Sequence, residues 1–583
     1  MCGIAGASFR DAPRTPFDVL AARFAEALAH RGPDGHGSSV HGRTLLVHTR
    51  LAIIDPAGGA QPLADADGRA CLIANGEIYN YKALRRQLAA EGARFATGSD
   101  AESALHCYLK HGEGFLKHLR GMYAIAVHDR ARDELLLARD PFGIKPLYYL
   151  ERDWGVAFAS ELPAFTAAGL LTPRADPALV PGFLRDQFVP GAQTLLADVR
   201  RVLPGECLRI RDGRIVARHR LLPKLPPVTT RSPAVATAEF DTLFRQVVAD
   251  HLQADVPYGL FLSGGIDSGA LAVAMRALAG PIRTYTVAVR GGGSDDAPRA
   301  AALAAALGTE HHEIPFDESD FWRLLPGACA AVDDPTADYA ILPMLKLAER
   351  AARDVKVVLC GEGGDEVFAG YRRYRDPFWK RWLRRDRRAR RGMAAAGLGL
   401  PPPAMRRQWT ALQRVQADDL FGWLPADLLT KLDRTLMHHG IEGRVPFLDE
   451  RCAAFGFALD DGLKIRNGFG KCLLRDWFGR HQQAVSAWER KQGFTVPIRL
   501  WLEARRDLLD AFLGAHEGLR TLVPAPILAA ARAARPLDTH TAQLNYRLLC
   551  FALWYEAVVL GRTPTAALFA PSGAAAAMQP ALA

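Results

Sequence analysis

Nowhere in the 583 residues do cysteines pair at the short spacings that hold zinc. The nine stand singly, at positions 2, 71, 107, 207, 329, 360, 452, 472 and 550, and make no dense disulfide framework. Cysteine used this way fits a reducing compartment. Long apolar runs are also missing: the most apolar late stretch, Leu548 to Leu560, is too short to cross a bilayer and contains Glu556. The first residues lack a basic segment followed by an apolar one, so no secretory leader is expected. Together these absences predict a cytoplasmic protein with no membrane partner.

A chain of this length exceeds what one hydrophobic core supports, so two or more domains are expected. With 49% hydrophobic and 23% charged residues it belongs with ordinary globular proteins, not with disordered or fibrous ones. The net charge of +10 argues for solubility and loose attraction to anions, which substrate phosphates satisfy, and no nucleic-acid partner is expected. The densest basic run, Arg372 to Arg391, interleaves aromatics with arginines. It reads as a solvated basic helix or loop, with a nucleic-acid surface as the alternative.

Up to residue 221 the sequence consists of short β segments separated by turn chemistry, such as CLIANGEIYN, GMYAIAVHDR and DELLLARD. Residues 222–236 gather prolines and small polar residues that suit neither helix interior nor central strand, and predict an interdomain linker. From 237 to 562 apolar strands alternate with alanine-rich helical stretches, the pattern of a parallel sheet flanked by helices. The fold class is therefore α/β with a sheet-rich α+β first half. Residues 563–583, low in charge and rich in alanine and proline, predict a disordered tail.

Cysteine at position 2 is chemically unusual. Removal of Met1 would leave a thiol and a free α-amine on one residue, and an amine with a pKa of roughly 7.7 to 8 can take the thiol proton near neutrality. Alone, a cysteine such as Cys2 is more often a small buried hydrophobe than a nucleophile. It is followed, in order, by HRGPDGHG (30–37), HTRLAIID (48–55), NGEIYN (75–80), TGSDAE (97–102) and RDPFGIKPLYY (139–149). This ordered set closely resembles the class II glutamine amidotransferases, whose N-terminal-nucleophile domain is an αββα sandwich. The resemblance implies that Cys2 attacks the glutamine amide and that Asn75 with the Gly76 N–H forms the oxyanion hole. It further implies that Arg50 binds the α-carboxylate, and that Asp100 with Gly76 and Glu77 holds the α-ammonium.

In the second half an apolar run leads into Ser263-Gly264-Gly265-Ile266-Asp267-Ser268 and then a helical stretch. Glycines allow close backbone approach, and successive N–H groups at a helix N-terminus attract phosphate. The loop lacks the Gly-Lys-Ser/Thr of kinases and GTPases. It resembles the pyrophosphate loop of ATP pyrophosphatases, which cleave ATP between its α and β phosphates. That resemblance implies ATP and Mg²⁺, with Asp267 and Asp365 (in CGEGGDEVFAGY) as magnesium ligands. It puts Phe261, Leu262, Val287, Cys360 and Gly361 around the nucleotide, Glu362 at the acyl-adenylate and Lys471 at the α-phosphate.

The two halves, with HHGIEGRVPFLD (438–449) and ERKQGFTVPIRLW (489–501), resemble the glutamine-hydrolysing asparagine synthetases of the B type. The resemblance implies glutamine, ATP and aspartate as substrates, allows a homodimer, and implies an enclosed ammonia passage between the sites, expected to be lined by apolar and small residues. Two other readings stay open: the same chemistry on another carboxylate, such as a peptide, sugar acid or biosynthetic intermediate, and a catalytically silent scaffold.

Overall fold

The inner strands of the first half, such as Gly3–Phe9, Thr44–Thr49, Gly121–Asp129 and Glu134–Arg139, are buried on both faces, which requires a layer of protein on each side. Along the strand Gly3–Phe9, Ile4 joins Leu46, Ile73, Ala126 and Leu137 in a core between two sheets. Ala5 and Ala7 point the other way, onto Leu20 and Phe24 of the helix Phe17–Ala27. The result is an αββα sandwich of two six-stranded sheets, antiparallel throughout. Helices Tyr81–Ala90 and Asp100–His111 cover the outer face of the second sheet.

The second half holds a five-stranded, all-parallel sheet in the order Glu310–Phe316, Arg283–Val289, Tyr258–Phe261, Val357–Leu359, Glu442–Arg444. Helices such as Pro233–His251 and Ile266–Ala279 pack on it. Tyr258–Phe261 lies at its centre and feeds directly into the Ser263 turn.

The computed structural model describes residues 2–290, 296–375, 401, 403–489, 495–533 and 535–569. The basic run beyond Arg375, residues 490–494 of the ERKQGFTVPIRLW segment, and the tail from 570 lie outside the described residues. Residues 563–569 do pack: Phe569 is buried against Trp322, ring centroids 5.2 Å apart. The proline-rich segment 222–236 contributes its last four residues to a helix. Ser232 caps the helix by accepting from the Val235 N–H, and Pro233 stands at the first helical position, where its missing N–H costs nothing. Among the described residues no helix is long and apolar enough to cross a membrane.

Candidate functional sites

Cys2 opens the strand Gly3–Phe9 and is 7% exposed. Its backbone N donates to Asn75 Oδ1 at 3.0 Å, and its Sγ lies 3.9 Å from the Leu51 carbonyl. Burial pushes the thiol up, against the positive N-terminus, which lowers it. Asn75 is fully buried in the strand Ala70–Ile78; with its Oδ1 taken by Cys2, its Nδ2 has no partner among the described residues. An orphaned donor beside a nucleophile is the arrangement an oxyanion requires.

Gly76 is fixed by close approach. A Cβ there would stand 2.0 Å from the Met122 carbonyl of the neighbouring strand, at φ +155°. Gly76→Ala is expected to destabilise the protein by about 2 kcal/mol or more through overpacking and backbone strain, and to reduce any glutaminase activity by shifting Asn75. Urea unfolding alongside glutamate release checks both; an unchanged midpoint would contradict this packing.

Asp100 stands in the first turn of its helix, after the Ser99 cap, and accepts the Ile78 N–H at 2.8 Å. Burial raises its carboxyl to about 6 against that hydrogen bond. Glu77 is 2% exposed, and burial raises it well above the usual carboxylate range, opposed by the charge of Arg444. Its Oε2 accepts from Arg444 Nη2 at 2.9 Å, whereas its Oε1 has no hydrogen-bond partner among the described residues. Arg50 differs from expectation in one respect: Nη1 and Nη2 already donate to the Pro56 and Asp55 carbonyls at 2.9 and 2.6 Å, so only part of its fork remains for a carboxylate.

In the second half a cleft of about 320 Å³ opens at the carboxyl ends of the parallel strands, where ligands bind in sheets of this kind. Phe261, Leu262, Ser263, Asp267, Ser268 and Val287 line it, together with Cys360, Gly361, Glu362 and Asp365. Gly264 and Gly265 lie in the turn between Ser263 and the helix Ile266–Ala279. The turn is tied internally: Ser268 Oγ accepts the Ser263 N–H at 3.1 Å and donates to its carbonyl at 2.8 Å.

Lys471 bonds Asp267 and sits 2.7 Å from Asp365. Burial lowers its pKa, but the charges of Asp267 and Asp365 outweigh that and raise it. The lysine expected at the α-phosphate therefore stands between the two carboxylates expected at magnesium. Its backbone is left-handed, φ 59°, as is that of Ala369 at 58°, a conformation that costs a non-glycine residue about 1 kcal/mol or more. Gly370 is required beside them, because a Cβ there would lie 1.8 Å from Asp365 Oδ1 and 2.0 Å from Lys471 Cε. Two carboxylates on separate turns, leaving other positions to phosphate oxygens and water, match the hard-oxygen preference of magnesium.

Sequence reasoning missed several residues here. Asp296, Glu366, Tyr371 and Lys431 also line the cleft. Burial pushes the Glu366 carboxyl up to about 8, and Lys431 pairs with Asp338 at 2.5 Å. Arg31, inside the quoted HRGPDGHG segment, donates from Nε to the Cys2 carbonyl at 3.2 Å and from Nη1 and Nη2 to Asp433 at 2.8 and 3.2 Å. Lys145 Nζ donates to the Gly443 carbonyl at 3.2 Å, and burial lowers its pKa to about 8. The buried layer between the two halves thus holds several charged side chains. Charges can stay there because each has partners.

Two family descriptions match the sequence: a glutamine amidotransferase domain over residues 1–220 and asparagine synthase over residues 239–556. Glutamine-hydrolysing asparagine synthetase 1 of Bacillus subtilis is 32% identical, covering 86% of this chain and 88% of that protein. Glutamine-hydrolysing asparagine synthetase B of Escherichia coli is 28% identical, over 87% and 84%. Glutamine-hydrolysing asparagine synthetase 3 of Arabidopsis thaliana is 31% identical, over 77% and 70%.

Proposed function

Because the chain belongs to the asparagine synthase family and carries its glutamine amidotransferase domain, we propose that it is a glutamine-hydrolysing asparagine synthetase. In this reading residues 1–221 split glutamine into glutamate and ammonia, and residues 237–562 activate aspartate with ATP as β-aspartyl-AMP, releasing pyrophosphate. Ammonia then attacks the acyl carbon and AMP leaves. The observation that carries the reading is the pairing, in one chain, of a buried Cys2 beside the orphaned Asn75 amide with a cleft where Lys471 gathers Asp267 and Asp365.

The α-amine of Cys2 would take the thiol proton, and Sγ would attack the amide carbon. Asn75 Nδ2 and the Gly76 N–H would meet the oxyanion, donors aimed where charge develops. Asp100 and Glu77 would hold the substrate ammonium, and Arg50 its carboxylate. At the second site the Ser263–Ser268 turn would cradle pyrophosphate, with Phe261, Leu262, Val287, Cys360 and Gly361 around the nucleoside. Asp267 and Asp365 would hold Mg²⁺, whose charge stabilises the departing pyrophosphate. Glu362 would act at the acyl-adenylate, and Lys471, a compact point charge, would serve the α-phosphate. Nine free, buried cysteines support a reducing, cytoplasmic setting.

The deciding experiment offers aspartate, glutamate, peptides and sugar acids in turn with ATP and glutamine and measures pyrophosphate. Aspartate should stimulate release several-fold over background. Stimulation by another carboxylate and not by aspartate would replace the acceptor while keeping the chemistry.

The elevated Asp100 carboxyl gives a pH prediction. Substrate ammonium needs Asp100 ionised, so the protonated form that gains population below about 6 binds poorly. The α-amine base, with a pKa near 8, already imposes a unit slope on log kcat/KM for glutamine as pH falls. Protonation of Asp100 should steepen that slope to about two below pH 6. A unit slope down to pH 5 would remove Asp100 from the glutamine site.

A further inference from the structure

The edge strand Glu442–Arg444 of the parallel sheet faces the amidotransferase domain, and one residue on it touches the surroundings of both sites. Arg444 is wholly buried. Its Nη2 donates to Glu77 Oε2 at 2.9 Å, one residue from the Asn75–Gly76 pair. Its Nε donates to Glu442 at 2.5 Å, and its Nη1 to the His251 and Gln253 carbonyls at 2.8 and 2.7 Å. The Tyr79 ring lies 5.8 Å from the guanidinium carbon. On its main chain, the Arg444 carbonyl accepts the Cys360 N–H at 2.8 Å, at the root of the turn that presents Gly361, Glu362 and Asp365 to the cleft. A single residue therefore separates the Glu77 carboxylate from the nucleotide turn.

Stability alone is a weak reason for such a pair, since buried ion pairs roughly break even against apolar replacements. Geometry gives a better one. Every arm of the guanidinium is engaged, so the Glu77 carboxylate cannot shift without moving the strand that anchors Cys360. Glu77 also keeps a buried oxygen, Oε1, without a hydrogen-bond partner among the described residues, on the carboxylate that would meet the substrate ammonium.

We propose that Arg444 is a positioning residue that couples the two sites: glutamine drawn to Glu77 shifts the Arg444 strand and the Cys360–Asp365 turn toward their nucleotide-bound arrangement, and nucleotide does the reverse. This rests on the reading of Glu77 as part of the glutamine site. Coupling between binding sites is reciprocal by linkage, so each ligand must tighten the other by the same factor.

The test uses full-length Cys2→Ala protein, which binds glutamine without consuming it. Calorimetry gives its glutamine affinity with and without a saturating ATP analogue uncleavable between the α and β phosphates, plus Mg²⁺, and then the converse. About a fivefold or larger mutual tightening is expected. Adding Arg444→Lys should cut the factor below twofold while both ligands still bind, because an ammonium cannot hold Glu77, Glu442 and two carbonyls at once. If Arg444→Lys does not fold, Glu442→Gln, which keeps the shape of the partner on Arg444 Nε, removes its charge and leaves Glu77 intact, is held to the same criterion. Absence of tightening in the Cys2→Ala parent, or tightening that survives substitution of the pair, overturns the proposal. Failure of the parent to bind glutamine at all is a separate result that removes the glutamine-site reading, and this inference with it.

Discussion

Cys2→Ala is expected to lower glutamate release from glutamine by about a thousandfold or more while leaving synthesis from ammonium salts at its parental rate. Loss of a covalent nucleophile removes the reaction path itself, and such losses in other enzymes reach several orders of magnitude. The second site should accept ammonia from either source, and among the described residues the hydrogen-bond partners of Cys2, namely Asn75, Leu51 and Arg31, are not among the residues that line the cleft. Removing Sγ takes away only a 3.9 Å contact with the Leu51 carbonyl, so the fold should survive. An N-terminal extension that blocks the α-amine should act like the mutation, because that amine is the base that takes the thiol proton. Wild-type glutaminase activity in either variant, or loss of ammonia-dependent synthesis with circular dichroism unchanged, would defeat the division of labour between the halves.

What could be read in the sequence was whatever lies close together along it. The Asn75–Gly76–Glu77 run is one strand, and the Ser263–Ser268 turn joins one strand to one helix; local chemistry identifies each. Short β segments with turn chemistry before residue 221, and apolar strands alternating with alanine-rich stretches after 237, separated the sheet-rich half from the parallel half. Contacts across the domain boundary were illegible: Arg31 meets Asp433 across 402 positions, and Glu77 meets Arg444 across 367. These pairs depend on how the halves dock, which no local pattern encodes. Lys431 illustrates the same limit: its helix, Leu429–Met437, is amphipathic, a pattern that assigns Lys431 to a solvent face, yet every residue of the helix is buried and Lys431 lines the cleft. Arg31, Lys145 and Arg444 look like surface residues in the sequence and become interior only when the other half supplies their partners.

Asp267→Asn and Asp365→Asn are each expected to reduce formation of AMP and pyrophosphate by at least about a hundredfold, with glutamine hydrolysis retained. Phosphate chemistry of this kind depends on charge placed to meet the departing group, and each substitution removes one of the two carboxylates that, among the described residues, Lys471 pairs with at the cleft. The two variants are not equivalent as tests. The Asp267 side chain is 12% exposed and that of Asp365 is 32% exposed, so Asp267→Asn leaves Lys471 poorly compensated in a drier place and carries a structural cost of about 3 kcal/mol or more. Asp365→Asn keeps Lys471 paired with Asp267, and its loss of activity therefore reports chemistry more than folding. If Asp365→Asn unfolds at the parental denaturant concentration and still forms no AMP, the carboxylate acts on the reaction. The identity of the nucleotide product in the unmodified enzyme decides the route itself: AMP with pyrophosphate follows from attack of the acceptor carboxylate at the α-phosphorus, whereas ADP with phosphate would mean attack at the γ-phosphorus, an acyl phosphate, and a different role for the whole Asp267–Lys471–Asp365 cluster.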